Sequence, residues 1–455
     1  MRKVLIIGKC ARVDCIADAL TTNKSEKELY GFSEFKNIGL IEKCEDLRTG
    51  DTESVKEVIR YAHEVKPDFV IVGSEEPLDA GVVDALTKQG VPCVGPTKAL
   101  AQLESSKAFT RNLLSKYEIP GNLKYRAFKS SDGLESYLKS LGEFVVKPDG
   151  LTGGKGVKIH GEHLHSIADG LRYSEELFEA GHEAVVIEEK LIGEEFSFQS
   201  FCDGWHVVDT IPVQDHKRAF DGDTGPNTGG MGSYSCQDHL LPFLSRDHVK
   251  QASRINRAVA QALREEFGAE YKGILYGGFM ATKSGIRVLE YNARFGDPEV
   301  MNILPLLKAD FMDICEAIIN GTLDKMQVVF EEKATVCKYV VPENYPDKNG
   351  QDKLVDVPET LKSSDRLKIY YAAVDKQSDG LYLTGSRAIA CVGIGDTLKE
   401  AEQIAEKAAG SVRGPVRHRK DIGTDALVQK RMDHMREILG MEESFSQIGT
   451  VGAQC

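Results

Sequence analysis

Residues 3–8, Lys-Val-Leu-Ile-Ile-Gly, are a short apolar run that stops at a glycine. Such a run predicts a strand buried on both faces, as in a parallel sheet. A helical period follows over Cys15–Leu20. Further strands are expected at Ile38–Ile41, Phe69–Gly73 and Val91–Val94, with amphipathic stretches at Ser54–Val65 and Gly81–Lys88 between the later ones. This alternation predicts an α/β fold that opens with a doubly wound parallel-sheet domain over residues 1–104. Ligands in such sheets sit where strands end in loops.

Ser105–Tyr117 predicts a helix closed by Ile119-Pro120. Short strands return at Phe144–Lys147, Val157–Ile159 and Ala184–Glu188, with a glycine-rich loop among them, so residues 121–190 read as a subdomain. The mixed region up to residue 325 has strand signals at Glu195–Ser200, Val207–Pro212, Ile274–Thr282 and Gly285–Glu290. A small mixed α/β domain is expected over 326–440, with strands at Ala334–Val341, Tyr370–Val374 and Ala388–Ile394 and a helix near Leu398–Lys407. Residues 441–455 lack a period and read as a loose tail.

The 455 residues are 41% hydrophobic and 28% charged, with a net charge of −13. That balance gives no general attraction to nucleic acid or to an anionic membrane, so an anionic substrate must be met by local donors. No stretch reaches the roughly 18 apolar residues of a membrane helix, and no secretory signal is recognisable at the start. The ten cysteines contain no CxxC pair. They read as reduced and mostly buried, which fits a cytoplasmic protein.

Three stretches carry candidate chemistry. Asp149–Gly156 places four glycines in eight residues just after a strand bearing Lys147. It reads either as a phosphate cradle, with Gly153, Gly154 and Gly156 freeing backbone N–H groups and Lys147 and Lys155 supplying charge, or as a solvated hairpin loop. It is not a Walker A loop. Val186–Glu195 runs an apolar strand into carboxylates. Glu188 suits a network near an adenine edge and Glu195 suits two ribose hydroxyls, the alternative being a solvated acidic turn. Val288–Glu299 holds Glu290 and Asn292 two apart, on one face of a strand, and their oxygens suit Mg²⁺. Arg294 follows on that face and suits phosphoryl or carboxylate oxygens.

In this order the three stretches resemble the ATP-grasp superfamily. Gly73–Leu78, Gly95-Pro-Thr97, Gln102–Phe109, Gln214–Arg218, Asp223–Gly232 and Arg419–Gly423 narrow the resemblance to the phosphoribosylamine–glycine ligases, also called glycinamide ribonucleotide synthetases. The likeness covers about residues 1–440. It implies ATP-grasp central domains over 105–325, with 121–190 as a lid, and Mg²⁺ (or Mn²⁺) with ATP as co-substrate. Glycine would be phosphorylated by ATP and then attacked by 5-phosphoribosylamine, in a monomer or small homo-oligomer. It also implies roles: Arg294, Lys217 and Asp215 catalytic; Lys107 and Lys147 on the ATP phosphates; Glu290 and Asn292 on the metal. Gly8, Arg12, Glu75, Pro77, Asp223, Thr224, Gly225, Asn227, Thr228, Gly229, Gly230 and Asp297 would meet the other substrates. Gly385-Ser-Arg387 is a further candidate from the C-terminal domain.

The first loop departs from the family. Where members carry Gly-x-Gly-Gly-Arg-Glu-His-Ala, this chain has Gly8-Lys-Cys-Ala-Arg-Val-Asp-Cys15. A Cβ at Cys10 and Ala11 is expected to restrict φ and hold an anion off the backbone. Two alternatives stay open: an ATP-grasp ligase with a different amine, and a non-catalytic nucleotide-binding homologue. His160, His163 and His165 have spacing for neither one helix face nor one strand face, and read as a turn rather than a metal site.

Overall fold

The computed structural model describes residues 1–22, 26–153, 156–347 and 350–440. The expected Gly154, Lys155 and the tail 441–455 lie outside the described residues. None of the described helices is long and apolar enough to cross a membrane.

The first unit is a parallel sheet in the order Asp46–Thr49, Lys27–Ser33, Arg2–Ile7, Phe69–Val72, Cys93–Val94. Val4 to Ile7 are fully buried, which is why the strand is apolar at each of these four positions. The order reverses at Arg2–Ile7, so the loops after it and after Phe69–Val72 lie side by side at the switch point where such sheets bind ligands. One expected strand is a helix instead. Ile38–Lys43 is helical, capped by the Asn37 side chain, which accepts from the Gly39 and Leu40 N–H groups. Its apolar run serves two cores: Leu40 packs with the first sheet, Ile38 against a cluster in the C-terminal region. The expected helix Ser105–Tyr117 is found as Lys107–Lys116, capped by the Ser106 side chain and preceded by a separate helix, Lys98–Ser105.

The second unit is the small antiparallel sheet Tyr125–Phe128, Val185–Glu189, Phe144–Pro148, Lys158–Ile159. Helices Leu134–Leu141 and Ile167–Glu179 contribute to a separate core with Phe128, Phe144, Val146 and Ile187. A lid needs such a private core if it is to move as a body.

The third unit is a long antiparallel sheet. Its path runs Gly285–Asn292, Lys272–Thr282, Glu194–Asp203, Val207–Asp215, Gly232–Ser235, Ala334–Pro342, Ile389–Gly395, Leu367–Tyr371. The pairing of Gly232–Ser235 with Ala334–Pro342 carries the sheet across the boundary expected at 325/326. The 22-residue helix Arg246–Phe267 lies on it, started by a capping box at Ser245. The helix Asp425–Leu439 returns to the same sheet, with Arg431 and His434 on Glu194.

Candidate active site

A cavity of about 480 Å³ opens where the first sheet, the lid and the long sheet meet. Of the expected residues, Arg12, Glu75, Lys107, Gly153, Glu188, Asp215, Lys217, Thr228, Gly229, Glu290, Asn292, Arg294 and Asp297 line it. These come from the chain between the first loop and the turn that follows the Gly285–Asn292 strand.

At one end, Lys107 begins a helix and donates to the Gly150 carbonyl at 2.8 Å, fastening that helix to the glycine loop. Burial lowers the pKa of Lys107, with Glu290 opposing. Glu188 is buried between two cations, Arg111 Nε at 2.6 Å and Lys147 Nζ at 2.7 Å. Burial pushes its carboxyl up, but Arg111 and Lys147 together hold it down at about 2. Lys147 also donates to the Leu289 carbonyl at 3.3 Å, so the lid is tied to the strand that carries Glu290. Gly153 sits at φ +57 with open space around it, and Gly156 accepts from the Tyr173 hydroxyl at 2.7 Å.

Glu290 and Asn292 both face the cavity. Lys217, 3.3 Å away, is the chief reason that Glu290 is held at about 2. An ionised carboxylate and an amide two residues away supply two oxygens. That fits an Mg²⁺ that keeps phosphate and water oxygens, better than a closed cage. No group of three His, Cys, Asp or Glu suited to a metal occurs among the described residues.

Alternation along the chain sends Asp215 and Lys217 into the cavity and His216 away from it. His216 is buried, and burial pushes its pKa down to about 3, so it stays neutral. Burial, and then Glu299, push the Asp215 carboxyl up. Glu195 is half exposed on the rim, 3.8 Å from Lys217. Arg294 is fully engaged: Nε on Glu75 at 2.9 Å, Nη2 on Glu104 at 2.7 Å, and Nη1 on the Phe295 carbonyl at 3.2 Å.

At the other end, Arg12 donates to the Gly73 carbonyl at 2.5 Å and pairs with Glu75 at 3.3 Å. Its Nε is buried and unpartnered among the described residues. An orphan guanidinium N–H in a cavity wall is a ready donor for an anion. The first loop corrects an expectation. Cys10 has not restricted φ: it sits at φ +135, a region that glycine adopts and L side chains rarely do. Ala11 begins the helix Ala11–Thr21. Gly8 (φ +148) packs against Ser74, and Pro77 is buried in its helix; neither lines the cavity.

The Asp223–Gly232 loop is divided in its placement. Thr228 and Gly229 reach the cavity. Asp223 does not, being held by Arg419 at 3.1 Å and by Arg431. Thr224, Gly225 and Asn227 form a hairpin strand paired with Arg218–Phe220. Gly230 is kept against Asp215 and Pro298, where a Cβ would lie 2.6 Å from the carboxylate.

Sequence profiles described as phosphoribosylglycinamide synthetase N domain, ATP-grasp (A) domain and C domain match residues 2–104, 105–300 and 335–425. The chain belongs to the phosphoribosylglycinamide synthetase family. The phosphoribosylamine–glycine ligase of Methanocaldococcus jannaschii is 48% identical over 443 residues, covering 96% of this chain and 99% of that one. That of Methanobrevibacter smithii is 46% identical over 441 residues, covering 96% and 100%. The crystal structure of phosphoribosylamine–glycine ligase from Thermotoga maritima superposes with a TM-score of 0.78 at 27% identity, covering 92% and 99%. A biotin carboxylase domain from Hydrogenobacter thermophilus, at 13% identity and TM-score 0.70, covers 96% of this chain and 94% of that one and shares the fold alone. The expected α/β architecture and the expectation of an ATP-dependent ligase both hold.

In this member of the family, several cavity residues went unassigned in the sequence. Glu104 lies inside the quoted Gln102–Phe109 stretch, where only Lys107 had been given a role. Glu299, which closes the Val288–Glu299 stretch without a role of its own, accepts from the Tyr276 hydroxyl at 2.7 Å, and nothing local marks Tyr276. Arg387, flagged only by its Gly-Ser-Arg setting, bonds the Gly229 carbonyl at 2.5 Å and the Asp297 carbonyl at 2.8 Å, closing the C-terminal region over the cavity.

Proposed function

We propose that this protein joins glycine to 5-phosphoribosylamine at the expense of ATP, giving glycinamide ribonucleotide, ADP and phosphate for purine synthesis. The observation that carries this reading is the single cavity in which the cationic glycine-loop end and the Arg12 end share a wall, in a chain whose family matches run across both.

A carboxylate is a poor electrophile. Attack of the glycine carboxylate oxygen on the γ-phosphorus forms an O–P bond and releases ADP; the amine then forms the C–N bond and phosphate leaves with the C–O electron pair. Lys107 and Lys147 hold the ATP phosphates under the lid. Glu290 and Asn292 would hold Mg²⁺, which when bound offsets charge on the moving phosphoryl group. Arg12, with its free Nε, takes the phosphate of the amine substrate. We assign Asp215 to take the amine proton, since burial and the neighbouring Glu299 raise the proton affinity of its carboxylate. Closure of the lid keeps water from the acyl phosphate.

The test is ADP release with Mg-ATP, glycine and freshly generated phosphoribosylamine, each omitted in turn. Release that needs both substrates, with glycinamide ribonucleotide as product, is the expected outcome. The side chain at Cys10 favours a second reading, a ligase for another amine. Glycine-dependent release with a different amine, and none with phosphoribosylamine, would establish that instead.

A further inference from the structure

Four charged side chains form an alternating row through the cavity floor: Arg12 to Glu75 at 3.3 Å, Glu75 to Arg294 at 2.9 Å, Arg294 to Glu104 at 2.7 Å. The row ends at Glu104, whose second oxygen accepts the Ala293 backbone N–H at 2.8 Å. Glu104 therefore holds one residue by its backbone and the next by its side chain, immediately after Asn292. It is the more buried of the two carboxylates on Arg294, with 7% side-chain exposure against 23% for Glu75. Its own position is firm. It stands near the end of the helix Lys98–Ser105, three residues before Lys107, which fastens the glycine loop. Asp149, at the start of that loop, is anchored to the same turn by the Ser106 hydroxyl at 3.0 Å and the Ala108 N–H at 3.1 Å.

We propose that Glu104 is a positioning residue for phosphoryl transfer: it fixes the end of the Gly285–Asn292 strand and aims Arg294, so that the metal-holding pair and the arginine keep one geometry relative to the glycine loop. Glu104 reaches the cavity wall, but both of its carboxylate oxygens are taken up by Ala293 and Arg294. It acts through Ala293 and Arg294, as the outer partners of metal ligands act through the ligands they orient. The inference rests on the assignment of Glu290 and Asn292 to Mg²⁺, and the test separates the two.

Two variants divide the role. In Glu104→Gln the amide oxygen still accepts from Ala293, but its NH₂ meets the Arg294 guanidinium donor to donor. Glu104→Ala removes both contacts. The expected result for Glu104→Gln is a kcat about tenfold to a hundredfold lower, a higher Mg²⁺ concentration for half-maximal rate, and a KM for phosphoribosylamine within about twofold of the parent. Arg294→Ala combined with Glu104→Gln should be no slower than Arg294→Ala alone, since a residue that acts through another adds nothing once the other is gone. Glu266→Gln, which removes an exposed ion pair with Lys116, serves as the control. Full kcat in Glu104→Gln, or losses that multiply in the double variant, would overturn the proposal. If Glu104→Ala fails to fold, the glutamine variant decides alone. If Glu290→Ala leaves the Mg²⁺ concentration for half-maximal rate at the parental value, it is the metal assignment that fails.

Discussion

Asp14 accepts the backbone N–H of Tyr371 at 2.7 Å, joining the first helix to a strand 357 residues later. The same carboxylate takes Lys43 at 2.6 Å and is fully buried. Asp14 is thus a clasp between the first sheet and the C-terminal region. Asp14→Ala should cost about 3 kcal/mol, because it strands a partly buried lysine and a backbone donor. Asp14→Asn, which keeps an acceptor for Tyr371, should lose less. Denaturant unfolding of both variants measures the difference, and equal losses would assign the whole effect to Lys43.

Cys10 holds a glycine's conformation, at φ +135. Relief of that strain, about 1–3 kcal/mol, is partly offset by the extra freedom glycine has when unfolded. Cys10→Gly should raise stability by about 1 kcal/mol. Cys10→Ala keeps the Cβ and should not. A gain in the alanine variant equal to that in glycine would mean that the thiol, not the backbone, is at fault.

Glu290→Ala should lower the ligation rate by at least about a hundredfold, with melting temperature little changed, since the residue lines a cavity. Lys107→Ala should raise the KM for ATP and leave that for phosphoribosylamine near the parental value. Steady-state kinetics with each substrate varied in turn separates these effects. An equal rise in both KM values in Lys107→Ala would place Lys107 between the two halves of the site.

Glu188 gives a pH dependence. Its carboxyl is depressed from 4.5 to about 2 in the folded protein, burial being outweighed by Arg111 and Lys147. A depressed acid stabilises the fold above its unfolded value and loses that contribution as pH falls through the folded value. On the order of 3 kcal/mol should therefore fade between about pH 4.5 and pH 2. The stability gap between parent and Glu188→Gln should be flat from pH 5.5 to 8 and shrink below 4.5. A gap that stays constant to pH 3 would mean that the ion pairs contribute nothing net.

The sequence was most legible where burial is one-sided or complete. Phe69–Val72 is buried throughout and reads as a strand at once. Lys27–Ser33 was missed because it is only partly buried and contains Gly31, which is needed where Leu47 comes close. Asp46–Thr49 buries no residue and so leaves no apolar trace. Ile38–Ile41 misled because a short apolar run looks like a strand, although only Ile38 and Leu40 are packed, each in a different core. The helix Arg246–Phe267 carries its signal in the Ser245 cap and in apolar residues such as Ala252, Ile255, Val259 and Leu263 at helical spacing. In the site, motif residues on one strand or loop were found by spacing. Glu104 was hidden because its meaning lies in Ala293, 189 residues along the chain, and in the Arg294 beside it, and Tyr276 because its partner Glu299 meets it only in the fold.

A cut made in the gene near residue 326 would look like a clean division into modules, yet it would leave Gly232–Ser235 without its neighbour Ala334–Pro342. A bare edge of that kind invites pairing with other chains. The C-terminal part is thus no detachable attachment: the catalytic half can be expressed alone only as a fragment prone to aggregate.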